Sequence, residues 1–315
     1  MDHGEVFQGL KARYCFAAIL IAWYWQPGSQ FFAESLYRSE WYWSDLAFHY
    51  YGHGVLALFL ILAAFVMHLH ARDILGRNLA RSDLQPILLV LILTYCASLA
   101  TVTLAYVPLS YLVPDFVSWW ISWWFQPVIY IAGDGSFPLG ANILSFVSLV
   151  ILAPLLEELL FRGYLLHRWS KKWGLWTGVL LSSVVFGAVH PDTLAAAITG
   201  AGFAMLYLKT QTLWAPIAAH ALYNFIAWAW DLFGTVNEGI KYYTYTVDQL
   251  LGDWWQGFIA FMIVVLLIDR LLRQSKPLGP FKLPYPEYRR LYCLTVPVTG
   301  VTIHADTQKP PAGGF

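Results

Sequence analysis

The chain has 315 residues, of which 58% are hydrophobic and 17% aromatic but only 12% charged, and its 19 basic residues balance 19 acidic ones. Soluble domains carry roughly 25% charged residues, about twice this share. The composition therefore excludes a typical cytosolic enzyme and a disordered chain, and the balanced charge without basic runs also excludes a nucleic-acid binder. We expect a lipid bilayer to surround most of the chain.

Eight apolar stretches are candidates for membrane helices, each of which needs about 20 apolar residues because only internal hydrogen bonds satisfy a backbone without water. In chain order they lie near 14–25, 50–69, 84–112, 139–166, 174–190, 193–208, 212–232 and 254–272. The first is the shortest and is interpreted as tilted or interfacial. The sequence thus predicts an all-α fold, a polytopic transmembrane bundle of about eight helices.

The stretch 115–132 has no clear assignment as a span. Its tryptophans Trp119, Trp120, Trp123 and Trp124 are interpreted as an aromatic belt at the membrane surface, because indole rings favour the headgroup level.

Basic residues alternate from loop to loop, and Lys and Arg collect in the cytoplasmic loops of membrane proteins. The loops on one side hold Lys11, Arg13, Arg72, Arg77, Arg81, Arg168, Lys171, Lys172, Lys209, Arg270, Arg273 and Lys276. The alternate loops hold only Arg38 and Lys241. This pattern predicts a multi-pass protein with both termini in the cytoplasm.

Four regions are predicted along the chain. Region 1–138 holds the N-terminal membrane helices and the Trp-rich interfacial loop, and region 139–232 forms a core of polar-containing helices. Region 233–276 is a loop with the last membrane helix. Region 277–315 is rich in proline and is interpreted as a cytoplasmic tail.

Ionisable and strongly polar side chains are costly at membrane depth, so each one inside an apolar helix is a functional hypothesis. One predicted helix has two adjacent carboxylates and an arginine. A second ends in a histidine, and a third has a histidine and an asparagine one turn apart. These candidate site residues are Glu157, Glu158, Arg162, His190, His220 and Asn224.

The spacing of these residues suggests separate tasks. Glu158 and Arg162 are four residues apart and share a helix face, so they are expected to form a buried ion pair. Glu157 is rotated by about 100° from Glu158, which leaves it unpaired and suited to general-base work. His220 and Asn224 also share a face, on which they could donate two hydrogen bonds to a developing oxyanion.

Other histidines are weaker candidates. His49 and His53 are four residues apart, and His68 and His70 two apart. Both pairs lie at predicted membrane interfaces, where amphipathic side chains are common, and we interpret them as interface residues rather than ligands.

The candidate site residues form three short motifs in a fixed order. They are Glu157-Glu158-x-x-x-Arg162, Phe186-x-x-x-His190 and His220-x-x-x-Asn224. Together, over about 139–232, they resemble the motifs of the CPBP intramembrane protease family, also called the CAAX protease and bacteriocin-processing or Abi family.

The resemblance implies a glutamate-dependent peptidase in a bacterial inner (plasma) membrane, acting on a membrane-anchored protein or peptide. By motif position, Glu157 would activate water with His190, and His220 with Asn224 would form an oxyanion hole. Glu158 and Arg162 would hold the motif helix. No cofactor is expected.

A zinc site is an alternative, because two histidines and a glutamate with an open position form a known catalytic zinc set. The spacing of the motifs does not exclude zinc, although the usual HExxH zinc motif is absent from the sequence. The resemblance favours the metal-free interpretation, because the family is mostly understood in that way.

Two other classes of function fit the same residues. The motif residues could be the packing core of a non-catalytic scaffold or bacteriocin-immunity protein. They could also be the proton relay of a proton-coupled transporter, although a transporter should carry polar residues in more helices and across the full bilayer depth.

Overall fold

The structure is a computed structural model that describes residues 11–23, 41–67, 74–124, 127–240 and 246–273. Within these ranges the regular structure is helical, apart from one isolated bridge between Gly76 and Thr212, and the predicted all-α fold is confirmed. The helices are α1 (Ala12–Trp23), α2 (Trp41–Val66), α3 (Arg81–Leu112), α4 (Pro114–Trp124), α5 (Leu139–Trp173), α6 (Leu175–Ala188), α7 (Thr193–Thr210), α8 (Trp214–Asn237), α9 (Val247–Gly252) and α10 (Trp254–Arg273). The proline-rich region 277–315 lies outside the described residues.

Among the described residues, three helices are long and apolar enough to cross a membrane, namely Tyr42–Val66 of α2, all of α3 and all of α5. Shorter apolar helices cover parts of α1, α6 and α10. The other two predicted spans form α7 and α8, which are not among these six. Large apolar side chains such as Ile61 and Phe65, 66% and 75% exposed, face outward. The molecule is a helical membrane bundle, since exposed apolar surface of this kind suits lipid.

The core is built around α5. Its residues Leu160, Phe161 and Leu165 are fully buried and pack with buried side chains of α1, α2 and α6. The first half of α5 packs against α2 on one side and α8 on another, while α6 and α7 pack against each other. The six candidate site residues therefore lie on α5, on the turn after α6, and on α8.

Helix α5 is not a regular α-helix. Two wide π-helical segments, Val147–Leu152 and Leu159–Leu166, flank the α-helical stretch Ala153–Glu158. Pro154 has no N–H to donate, and just before it the N–H of Ala153 bonds the carbonyl of Ser148, five residues back. Wide turns of this kind are rare and often lie at functional sites. Here they bracket the two glutamates.

The Trp-rich segment forms a short helix rather than a span. With 11 residues, α4 reaches only about 16 Å, roughly half of the hydrocarbon core. Trp119 is exposed, but Trp120 is buried and stacks on Tyr106 at 3.4 Å between ring centroids. The belt interpretation is therefore wrong for Trp120, because its ring packs inside the bundle, where its Nε1–H donates to the carbonyl of Pro191 at 3.4 Å.

Candidate active site

Glu158 and Arg162 form the ion pair that their spacing predicts. Arg162 Nη1 donates to Glu158 Oε1 at 2.8 Å, and both side chains are fully buried. Arg162 Nη2 donates to the backbone carbonyl of Gly200 on α7 at 2.8 Å. The pair thus joins α5 to α7, and a charge that would be costly alone in this interior is compensated.

Three aromatic rings surround the guanidinium of Arg162. Its carbon Cζ lies 4.5 Å from the ring centroid of Phe186, 5.6 Å from that of Phe203 and 5.8 Å from that of Phe161. Ring faces attract a cation, most strongly where water is excluded. Gly200 lets α7 approach closely, since a Cβ there would lie only 3.3 Å from Arg162 Nη2.

His220 makes a contact that was not predicted from the sequence. Its Nδ1 lies 3.0 Å from Glu158 Oε1, the oxygen that also accepts from Arg162, and its ring stacks on Phe203 at 5.1 Å. Because Glu158 is paired with arginine, its carboxylate accepts the Nδ1–H of His220. One carboxylate therefore holds both α5 and α8, and only Nε2 of His220 remains for other contacts.

Glu157 faces away from Glu158, as its rotation predicts, but it does not stand alone. Its Oε2 lies 3.6 Å from His190 Nε2, and the Glu157 side chain is 9% exposed. Oε2 is buried and has no hydrogen-bond partner in the described structure. A separation of 3.6 Å is too long for a direct hydrogen bond and suits two groups that share one water.

His190 is held by Phe186. The Nδ1–H of His190 donates to the Phe186 carbonyl at 2.6 Å, and the two rings stack at 4.4 Å. Helix α6 ends at Ala188, so His190 lies in the turn that leads through Pro191 to α7. This agrees with the sharp helix end that Pro191 predicts.

Asn224 caps a carbonyl that Pro154 leaves without a donor. Its Nδ2 donates to the carbonyl of Leu149 at 2.9 Å. In the π-helical turn this carbonyl would accept from residue 154, which is a proline, while the N–H of Ala153 is bonded to Ser148. One amide hydrogen of Asn224 is thus committed to the backbone. Within the described ranges, no hydrogen bond joins Asn224 to Glu157 or His190.

The sequence interpretation missed His53 and Ser148. His53 Nδ1 lies 3.4 Å from Ser148 Oγ in the first π-helical segment of α5. Helix α2 packs against both the Val147–Leu152 and the Ala153–Glu158 segments of α5. We had interpreted His53 as an interface residue, whereas α2 brings it beside the glutamate segment of α5. The four-residue steps from Asp45 to His49 and from His49 to His53 were the available signal.

The described residues contain no group of three or more His, Cys, Asp or Glu side chains arranged to hold a metal ion. Glu157 and His190 converge, but Nδ1 of His220 contacts Glu158.

An apolar cavity of about 420 Å³ lies between the start of α5 and the end of α8. Its lining includes Ile143, Phe146, Trp228 and Val236. Trp228 follows Asn224 by one helical turn, so the lining of the cavity begins one turn of α8 beyond Asn224.

The site is thus a buried glutamate that faces a histidine inside a helical membrane bundle. Residues 139–226 match the family described as "Type II CAAX prenyl endopeptidase Rce1-like", which confirms the resemblance seen in the three motifs.

Two curated relatives match parts of the chain. Over 77 residues it is 39% identical to "Putative membrane peptidase YdiL" of Bacillus subtilis (strain 168), covering 24% of this chain and 32% of that protein. Over 50 residues it is 44% identical to an uncharacterized 24.3 kDa protein of Escherichia coli, covering 15% of this chain and 23% of that protein. The chain thus spans about a third or less of the curated relatives it matches. No solved structure matches it. The matches support a membrane peptidase.

Proposed function

We propose that the protein is a glutamic intramembrane peptidase that hydrolyses a peptide bond near the end of a membrane-anchored protein or peptide. One observation carries the proposal: Glu157 Oε2 and His190 Nε2 face each other at 3.6 Å, and the buried carboxylate oxygen has no hydrogen-bond partner in the described structure. A water molecule between them would satisfy both groups.

The tautomer of His190 supports this use of the water. Because Nδ1–H donates to the Phe186 carbonyl, Nε2 of the neutral ring is an acceptor. A bound water can then donate one hydrogen to His190 Nε2 and the other to Glu157, which leaves an oxygen lone pair for the attack. As the C–O bond forms, Glu157 takes the proton, and it then gives that proton to the leaving amine as the C–N bond breaks.

His220 and Asn224 are the proposed donors to the oxyanion. A protonated His220 keeps Nδ1–H on Glu158 and offers Nε2–H, and Asn224 offers its second amide hydrogen. Donors fixed in place before the reaction stabilise the developing charge at little reorganisation cost. Glu158 and Arg162 have a supporting role, since they bond the helices that carry these groups.

The substrate is proposed to be a peptide with an apolar, membrane-anchored part. The cavity beside Asn224 offers an apolar lining to such a segment. For the protein itself we propose the plasma membrane, as the family resemblance implies, and we propose from the distribution of basic residues that both termini lie in the cytoplasm.

A cleavage assay tests the proposal. The protein is purified into lipid, given a library of membrane-anchored peptides, and compared with Glu157→Gln, His190→Gln and Arg162→Ala, each with and without a chelator. Glu238→Gln at an exposed position after α8 is the matched control. Loss of cleavage in the Glu157 and His190 variants, with folding intact and no chelator effect, is the expected result.

Other outcomes would overturn the proposal. Loss of cleavage on addition of the chelator alone would establish the zinc alternative. If the wild-type protein cleaves no peptide, while the Glu157→Gln variant still supports the protein's function in cells, the motif residues are the packing core of a scaffold or immunity protein. Proton-coupled uptake that depends on Glu157 would identify a transporter.

A further inference from the structure

Helix α2 carries three titratable side chains on one face, Asp45, His49 and His53, which we call the α2 stripe. They are spaced four residues apart, so they lie above one another along the helix. His49 Nε2 is 3.7 Å from Asp45 Oδ2, and these side chains are 50% and 39% exposed. The residues lie in the apolar span Tyr42–Val66. Polar side chains are costly in such a span, so their presence there indicates a function.

The Asp45 end of the stripe lies at the membrane surface. Asp45 Oδ2 accepts a hydrogen bond from the Tyr130 hydroxyl at 2.6 Å. Tyr130 belongs to the non-helical segment 127–138, whose turn around Asp134 and Gly135 is exposed. Non-helical backbone does not face hydrocarbon, so this end of α2 is in reach of water.

The other end of the stripe lies beside Glu157. Helices α2 and α5 run in the same direction here, because the Tyr50 hydroxyl donates to the Leu144 carbonyl at 3.0 Å and His53 lies 3.4 Å from Ser148 Oγ. The side chain of Glu157 tilts back toward the start of α5, as helix side chains do. Helix α2 also packs against the Ala153–Glu158 segment of α5, which carries Glu157.

We propose that the α2 stripe is the path along which water reaches Glu157, with His53 as its innermost residue. The proposal rests on the proposed function and deepens it. Peptide hydrolysis consumes one water per turnover, and Glu157 is only 7% exposed in a bundle surrounded by lipid. Water occupies protein interiors where two to four polar groups hold it, and the stripe with Ser148 supplies such groups from the surface to the carboxylate.

Two substitutions at one position test the path by activity. His53→Leu removes the polar group and fills its space with apolar atoms, whereas His53→Gln keeps both length and hydrogen bonding. We expect His53→Leu to lower kcat by about tenfold or more with KM unchanged, because a leucine gives water no polar partner at the inner end of the path. His53→Gln should recover most of the loss, because its amide can hold the same water. Leu58→Ala, on the exposed surface of α2, is the control.

Thiol labelling tests the path without activity. Cys15, Cys96 and Cys293 are first replaced by serine. His49→Cys and Leu58→Cys are then introduced one at a time, and each variant in lipid vesicles is exposed to a charged, membrane-impermeant methanethiosulfonate. The cysteine at 49 is expected to react at least tenfold faster, because thiolates form only in contact with water.

The two failures are distinguishable. If the wild-type protein cleaves no peptide, the proposed function is contradicted. The labelling rates then still show whether the α2 stripe is in contact with water. If His53→Leu keeps the kcat of the wild type, or if the cysteines at positions 49 and 58 are labelled equally fast, the water path is overturned. That conclusion holds even if Glu157 is the base.

Discussion

Phe186 holds His190 through two contacts at once: its carbonyl accepts the Nδ1–H at 2.6 Å, and its ring stacks on the imidazole at 4.4 Å. The same ring lies 4.5 Å from the guanidinium carbon of Arg162. One aromatic side chain therefore sets the position of the histidine and covers the buried arginine.

Replacing the ring of Phe186 should impair catalysis more than folding. Phe186→Leu keeps the backbone carbonyl and most of the volume but removes the stacked face. We expect kcat to fall by about tenfold to 100-fold with KM nearly unchanged, as measured on a cleavable membrane-anchored peptide. Phe258→Leu, a half-exposed position on α10, should behave as wild type. If KM and kcat of Phe186→Leu fall together, or if neither falls, the proposed role of Phe186 in positioning His190 is contradicted.

Gly187 is required for the approach of α6 to α7. A Cβ at this position would overlap the Thr193 carbonyl, a backbone atom that cannot move aside cheaply. The Gly187 carbonyl also accepts the His190 N–H at 2.9 Å, so the turn carrying His190 must shift. We expect Gly187→Ala to lose about 100-fold in kcat. Gly140→Ala, which meets nothing within 4 Å, should keep full activity.

The buried pair Glu158–Arg162 should show strong coupling. Glu158→Gln leaves Arg162 buried without its counter-charge, and such a loss typically costs about 3–5 kcal/mol. Arg162→Met leaves Glu158 with His220 alone. The double variant should be less destabilised than the sum of the single variants, by 1 kcal/mol or more. Unfolding by titrated denaturant in mixed micelles measures this cycle, and simple additivity would refute the coupling.

These positions show how far the sequence determined the site. The rotation between Glu157 and Glu158 and the four-residue spacing of Arg162 follow from helix geometry alone, so their opposite directions were predictable. The contact of His220 with Glu158 joins two helices 62 residues apart in sequence, and helical periodicity carries no information on such pairing. His53 was missed for the same reason, because only the packing of α2 on α5 brings it to Ser148.

The π-helical turns of α5 were not predicted from the sequence. The missing N–H of proline can be read from the sequence, but the widening of the helix depends on which other donor takes the freed carbonyl. Here that donor is Asn224, from another helix. Likewise, Trp120 was assigned to the membrane surface because a run of tryptophans has the same composition in a belt and in a core.

The observed capping by Asn224 and its proposed catalytic role can be tested separately. Asn224→Ala leaves the Leu149 carbonyl without a partner, which we expect to cost about 1–3 kcal/mol of unfolding free energy. Pro154→Ala restores a backbone N–H five residues after Leu149. The double variant should therefore regain stability but not activity, as judged by denaturant titration and peptide cleavage. Recovery of both would mean that Asn224 only caps the helix.

Asp192 should make stability depend on pH. It lies in the turn between α6 and α7, where its side chain accepts from the N–H of Ala195 at the start of α7, and burial raises its pKa from 3.8 to about 6. The folded state therefore holds this proton more tightly than the unfolded chain, so stability is greatest below about pH 4 and falls as the pH rises through 6. Asparagine caps a helix as well as aspartate but carries no charge. Asp192→Asn should thus be more stable than the wild type at pH 8, on the order of 2 kcal/mol, and about equal to it at pH 4. Apparent melting temperatures of both proteins across this range measure the difference, and a constant gap would show that the Asp192 carboxyl does not titrate there.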